Sequence, residues 1–233
     1  MAKDRIFQSK KEQKFTFNDE VASVFDDMLA RSIPYYKDTQ QLCIDFLSTF
    51  ARQGRIYDLG CSTGNTLLAL REQVSGELIG LDSSQAMIDQ ATRKAGAYNA
   101  DICFMCADIM DFPYENAQGL IANYTLQFIR PPLRAKLLAR LYNALESSGV
   151  LILSEKTISH SPHLDAQMIS YYHQYKACNG YTKSEIAAKR EALENVLVPY
   201  SLEENLALLK DAGFASVEVL FKWVNFATFI AVK

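Results

Sequence analysis

Tyr57-Asp58-Leu59-Gly60-Cys61-Ser62-Thr63-Gly64 is the stretch that decides the fold. An apolar run from Arg55 to Leu59 breaks into small residues, and a helix is expected to open near Asn65. This is the strand–turn–helix corner at which an open α/β sheet binds nucleotide-like ligands. Glycine at 60 permits a left-handed turn and lets a ligand lie against bare main chain. A helix N-terminus behind it offers N–H groups. The spacing is D-x-G-x-x-x-G, not the G-x-G-x-x-G of a pyrophosphate cradle, and the chain contains no G-x-x-x-x-G-K-[ST]. An adenosine-bearing cofactor without phosphates therefore suits this corner better than NAD or ATP.

Working outward, Glu77 to Leu81 reads as a second strand ending in Asp82, about 20 residues beyond the turn, where a carboxylate meets ribose hydroxyls. A third strand, Ile102 to Ala107, ends in Asp108-Ile109, where a carboxylate can accept a bond from an adenine amino group. Each aspartate alone reads as a turn or helix cap. Together they form one rim of ligand contacts, a pattern that resembles the class I S-adenosylmethionine-dependent methyltransferases.

The remaining elements fit that sheet. Asn18 caps a helix with Val21, Val24, Phe25, Met28 and Leu29 on one face; Ser32-Ile33-Pro34 stops it, and a second helix starts near Asp38. Gly119 to Tyr124 and Gly149 to Leu153 read as strands four and five, separated by a helix from Leu133 to Leu145 that Pro131-Pro132 opens. Alternation of strands and helices predicts a doubly wound, Rossmann-like sheet, mostly parallel. It then lapses: residues 157–200 read as a helical insertion covering the site, with a capping box at Thr182-x-x-Glu185. Ser201-x-x-Glu204 caps a last helix, and Ala215 to Trp223 with Asn225 to Val232 closes the sheet as an antiparallel pair. The expectation is a single methyltransferase-like domain over 1–233, with an N-terminal arm and helices over 1–54.

Composition narrows the class. At 233 residues, 49% apolar and 22% charged, the chain suits one soluble α/β domain. A net charge of −3 gives no global attraction to nucleic acid, although Lys10, Lys11 and Lys14 make a local basic patch. The start, Met1-Ala2-Lys3-Asp4-Arg5, has no apolar signal region and no apolar run is long enough to cross a bilayer, so a cytoplasmic location is expected. The scattered cysteines at 43, 61, 103, 106 and 178 make no disulfide framework. Cys103-x-x-Cys106 lacks a second pair and His160-x-x-His163 sits in a polar loop, so no metal site is expected.

Several further stretches carry a closer resemblance: Arg31-Ser32-Ile33-Pro34-Tyr35-Tyr36, Thr125-Leu126-Gln127-Phe128, Leu153-Ser154-Glu155-Lys156, Asn179-Gly180-Tyr181, Lys189-Arg190, Leu193-Glu194-Asn195-Val196, Asn225-Phe226 and Ile230-Ala231-Val232. With the corner at 57–62, they make the chain similar, nearly end to end, to the carboxy-S-adenosyl-L-methionine synthases. The resemblance implies conversion of S-adenosyl-L-methionine and prephenate to carboxy-S-adenosyl-L-methionine and phenylpyruvate. It further implies a homodimer, and a partner tRNA carboxymethyltransferase that uses the product to build wobble uridine 5-oxyacetic acid. Cofactor contacts carry over to Tyr36, Gly60, Cys61, Ser62, Asp82, Ser83, Asp108, Ile109, Asn123 and Arg190. Ser83 stands where asparagine is expected, and Tyr35 where glycine is expected. Implied too is decarboxylation of prephenate, whose leaving group serves as the base, with recapture of the carbon dioxide at the deprotonated methyl.

A buried carboxylate on the cofactor demands a fixed cation. Arg190, with its planar fork, and Tyr36, as a neutral hydroxyl donor, are the candidate catalytic groups. Read without the resemblance, Arg190 would pair with Glu194 one helical turn on. Two other functions share the cofactor clamp. One is a conventional methyltransferase acting on a small molecule or tRNA. The other is a non-catalytic cofactor-binding subunit of a tRNA-modifying partner; direct tRNA contact is not expected, since no basic–aromatic stripe is present.

Overall fold

The computed structural model describes residues 3–8 and 14–233. Lys10 and Lys11 of the basic patch lie outside them. Helices α1 (Asp19–Ser32) and α2 (Tyr36–Phe50) lead into β1 (Ile56–Leu59), α3 (Asn65–Leu70), β2 (Leu78–Asp82), α4 (Gln85–Tyr98), β3 (Cys103–Cys106) and β4 (Ala117–Asn123). Then come α5 (Pro131–Ala144), β5 (Leu145–Ile158), α6 (Pro162–Cys178), α7 (Lys183–Leu193), β6 (Tyr200–Ser201), α8 (Leu202–Asp211), β7 (Ser216–Trp223) and β8 (Phe226–Val232). The sheet order is β3-β2-β1-β4-β5-β8-β7, with β6 beside the end of β5. β1 to β5 run parallel to one another, and β8 runs antiparallel to both β5 and β7.

Period-two alternation divides the core between the two faces of the sheet. Tyr57 and Leu59 of β1, Leu120 of β4, and Leu151 and Leu153 of β5 pack with Leu137 and Leu141 of α5 and Leu209 of α8. Ile56, Ile121 and Ile152, one position out of phase, pack on the other face with Leu47 of α2 and Leu67 of α3. Each such side chain contributes about 1.5–3 kcal/mol on full burial. That fixes the register, because a slip by one residue would exchange the faces.

The capping signals form as expected. Asn18 Oδ1 accepts from Val21 N at 3.0 Å, and both Thr182–Glu185 and Ser201–Glu204 are reciprocal capping boxes. Three features differ from the sequence reading. β5 runs 14 residues, because β8 pairs with it continuously from Val150 to Lys156 and Leu145 still pairs with Ala117. β6, two residues long, is too short to leave a periodic signal. Helix α2 begins at Tyr36, two residues before Asp38, because Tyr35 turns the chain in the left-handed region at φ 54°. A non-glycine residue costs about 1–2 kcal/mol there, which accounts for the expectation of glycine at 35.

The N-terminal arm crosses this framework. Phe15 N donates to Ala192 O at the end of α7, and Ser84 Oγ, the N-cap of α4, donates to the carbonyl of Phe17. Asp4, buried, accepts from Tyr181 Oη at 2.5 Å.

Candidate active site

Chain reversal after each parallel strand leaves the C-terminal ends of β1, β2, β3, β4 and β5 on one rim, the place where open α/β sheets bind ligands. A cavity of about 750 Å³ lies there, within the size range of small-molecule sites. It brings together every expected contact: Tyr36, Gly60, Cys61, Ser62, Asp82, Ser83, Asp108, Ile109, Asn123 and Arg190. Residues from α6 and α7, including Tyr172, His173, Lys176 and Lys189, complete its wall.

The turn after β1 is bolted to β2. Gly60 N and Cys61 N both donate to Leu81 O, at 2.7 and 2.9 Å, and Ser62 N donates to Asp82 Oδ2 at 2.9 Å. These N–H groups are consumed by the fold, since a turn this tight brings its donors onto the neighbouring strand. Gly60 is held at φ 71°, and a Cβ there would lie 2.5 Å from Thr125 Oγ1. Glycine is required on both counts. A carboxylate from α1 also docks onto this corner: Thr63 Oγ1 and Asn65 Nδ2 donate to Asp26 Oδ1 at 2.6 and 2.8 Å, and Lys94 Nζ donates to Oδ2 at 2.6 Å. Burial opposes the Asp26 charge, but the bonds from Lys94, Thr63 and Asn65 hold its pKa below the usual value. Nothing in the local sequence pattern announced Asp26.

Asp82 is buried, with Oδ1 accepting from Ser84 N at 2.9 Å and Oδ2 from Ser62 N. Burial raises its pKa, and the two N–H groups counteract that shift. Asp58, also buried, has no such support; burial first, then the Asp82 charge, pushes its pKa up to about 7. Asp108 is exposed and accepts from Met110 N at 2.8 Å, while Ile109 beside it is buried and apolar. Tyr36 is kept protonated by burial and by the nearby Asp58 and Asp26 charges, so its hydroxyl is available as a neutral donor. The Cys61 thiol is pushed up by burial and is inert as a nucleophile.

The other end of the cavity is cationic. Arg190 is exposed at its edge, and no ion pair joins it to Glu194 among the described residues. Lys189 is buried and donates to Ser32 Oγ at 3.0 Å, with its pKa lowered by burial to about 8. Lys176, only 5% exposed, is lowered to about 7 by burial and by the charges of Lys189, Lys156 and Arg190. Lys156 is lowered by burial too. Lys156 and Lys176 have no sequence spacing in common, and only folding brings them together. Among the described residues no group of three metal-ligating side chains converges, and His160 and His163 are exposed.

Comparison with known proteins identifies the frame. A family described as "Methyltransferase domain" matches residues 56–149. The carboxy-S-adenosyl-L-methionine synthase of Helicobacter hepaticus is 56% identical over 99% of this chain and 100% of its own length. The chain belongs to that family. The carboxy-S-adenosyl-L-methionine synthase of Nitratiruptor sp. is 50% identical over 100% of this chain and 99% of its own. Among solved structures, a putative S-adenosyl-L-methionine-dependent methyltransferase from Methanococcus maripaludis superposes with a TM-score of 0.64 at 20% identity, covering 97% of each chain. This synthase-family chain is thus a transferase on the class I methyltransferase fold, with S-adenosyl-L-methionine as its cofactor.

Proposed function

We propose that the protein converts S-adenosyl-L-methionine and prephenate to carboxy-S-adenosyl-L-methionine, phenylpyruvate and water. The observation that carries this reading is a single cavity whose β1–β3 end is acidic and whose α6–α7 end is cationic, in a chain with full-length synthase relatives. The residues fit the cofactor. Asp82, already oriented by two N–H groups, has oxygens left to accept from ribose hydroxyls. Ile109 offers an apolar surface to adenine with Asp108 beside its amino group, and Ser83 and Asn123 add polar contacts. Asp58, a buried carboxylate without a hydrogen-bond partner among the described residues, faces the positive end of the cofactor, which restores its charge. Tyr36 and Arg190 hold the carboxylate of the product, one as a hydroxyl donor and the other as a fork.

The reaction balances without an external oxidant or base. Prephenate loses carbon dioxide and its ring hydroxide; the carbon dioxide joins the sulfonium methyl carbon, and the proton displaced from that carbon leaves with the hydroxide as water. Incubation with both substrates should yield phenylpyruvate and a cofactor heavier by one carbon dioxide, read by mass spectrometry. Recovery of unmodified cofactor alone would return the protein to conventional methyl transfer.

The wider setting is part of the same proposal. The chain acts as one methyltransferase-like domain in the cytoplasm; among the described residues no helix is long and apolar enough to cross a membrane. It passes its product to a tRNA carboxymethyltransferase that builds wobble uridine 5-oxyacetic acid, without binding tRNA itself. A homodimer is supported by an aromatic cluster in which Tyr35, Tyr171 and Tyr175 surround Trp223 at 6.2, 5.7 and 5.3 Å, with Tyr35 and Tyr171 exposed.

A further inference from the structure

Three lysines line the cationic end of the cavity, and one of them is accounted for by the fold. Lys189 donates to Ser32 Oγ and lies in the field of the buried Asp4, so it ties α7 to α1. The other two have no such employment. Lys176 Nζ lies 4.6 Å from the centroid of the Tyr172 ring and Lys156 Nζ 5.4 Å from the same centroid. Among the described residues, neither ammonium has a hydrogen bond or an ion pair; the nearest acidic influence is the Asp165 charge on Lys156. Lys176 is 95% buried and still opens onto the cavity. An unpaired ammonium in that position is costly; loss of its proton relieves part of the cost, and an anion that enters with the ligand lets the charge be kept.

Position along the rim separates this pair from the cofactor. Asp108 follows β3, Asp82 ends β2, Gly60 follows β1, Asn123 ends β4 and Lys156 lies near the end of β5. Adenosine contacts therefore occupy one end and the lysine pair the other, with the turn after β1 between them. The Tyr172 hydroxyl donates to Ser32 O at 2.9 Å, which fixes the ring that both ammonium groups face. Tyr172 and Phe226, with ring centroids 5.1 Å apart, put an apolar wall beside the charges, as a cyclic carboxylate requires.

We propose that Lys156 and Lys176, set about the Tyr172 ring, bind the carboxylate that the second substrate keeps, while Arg190 serves the carboxylate that migrates to the cofactor. The assignment rests on the reading above in taking a dicarboxylate as second substrate. It divides that substrate's charges between two sites: the lysine pair anchors the keto-acid carboxylate before and after reaction, and Arg190 meets only the group in transit. The lysines act as binding and positioning residues, and no bond is made to them.

Phenylpyruvate, which carries only the retained carboxylate, is the probe. With S-adenosylhomocysteine bound, calorimetry should show phenylpyruvate binding weakened tenfold or more in Lys156→Met and in Lys176→Met, the loss of a hydrogen bond to a charged group. Lys176→Arg should keep most of the affinity, and Arg190→Leu should leave phenylpyruvate binding unchanged while raising the KM for prephenate. Unaltered S-adenosylhomocysteine binding certifies that each variant is folded. Wild-type levels of phenylpyruvate binding in both methionine variants would overturn the assignment, as would an equal loss in Arg190→Leu. Failure of the wild type to bind phenylpyruvate would overturn it too. If the wild type binds phenylpyruvate but leaves S-adenosyl-L-methionine and prephenate unchanged, the reaction assigned above falls and the anion subsite stands.

Discussion

At the β2–β3 end of the cavity the charge is a carboxylate gripped by backbone; at the α6–α7 end it is a set of ammonium and guanidinium groups that the fold leaves nearly unpartnered. Asp82 accepts from two N–H groups of the strand–turn corners, so its position is set by the same bonds that build the sheet. Among the described residues, Lys156 and Lys176 face an aromatic ring without a hydrogen bond or ion pair, and Arg190 has no ion-pair partner. The first end is preorganised for any adenosyl ligand. The second stores unfavourable charge until an anion arrives, so that is where discrimination between ligands resides.

Asp82→Ala should have the largest effect, about 3 kcal/mol, the upper range for hydrogen bonds to a charged group, because it also strands the N–H groups of Ser62 and Ser84. The loss should be equal for S-adenosyl-L-methionine, S-adenosylhomocysteine and the carboxylated cofactor, measured by calorimetry. Unequal losses would mean that the acidic end senses the transferred group. Arg190→Leu should cost the carboxylated cofactor about 2 kcal/mol and S-adenosylhomocysteine nothing. Full burial of Arg190 would have implied the 3–5 kcal/mol of a stranded buried ion pair, but its exposure at the cavity edge argues for the smaller figure.

Asp58→Asn should stabilise the ligand-free protein by about 1–2 kcal/mol above pH 7, by removing an unsatisfied buried charge, and should weaken cofactor binding. The sign follows from linkage. The folded pKa of about 7 lies above the ordinary carboxylate value, so the folded state binds the extra proton and stability is lost as pH rises toward 7. Thermal melts of the wild type from pH 5 to 8 should show that decline, and the variant should flatten it. The smallest effect concerns Lys176, whose pKa is lowered to about 7 by burial and by Lys189, Lys156 and Arg190. An anion binds its protonated form, so phenylpyruvate affinity should fall about fivefold, roughly 1 kcal/mol, from pH 7 to 8. Lys176→Met should abolish that slope.

The same contrast explains what could be read from the chain. The acidic end was legible because each strand announces its own end: apolar runs stop at Asp82, Asp108 and Asn123, and the spacing from Gly60 to Asp82 is set by one helix and one turn. Caps at Asn18, Thr182 and Ser201 are equally local, since donor and acceptor lie three residues apart. The cationic end depends on bringing Lys156 to helix α6, where Tyr172 and Lys176 lie one turn apart, and on contacts between helices α1 and α7, and no periodicity encodes these long-range meetings. Arg190 is reached only through family resemblance; Lys156 lies in a stretch that carries the same resemblance, but nothing local gives it or Lys176 a role. Asp26 escaped notice for the same reason, since its partners lie at 63, 65 and 94.

The arm at residues 14–17 joins the two ends. Phe17 is fastened to the N-cap of α4, just past Asp82, and Phe15 to the last turn of α7, which carries Arg190. Phe15 and Phe17 also line the cavity. Both fastenings run through the segment that protein engineers treat as expendable. A purification tag or an N-terminal trim reaching that far would loosen the adenosyl end and the anion end together, and the damage would resemble an active-site mutation.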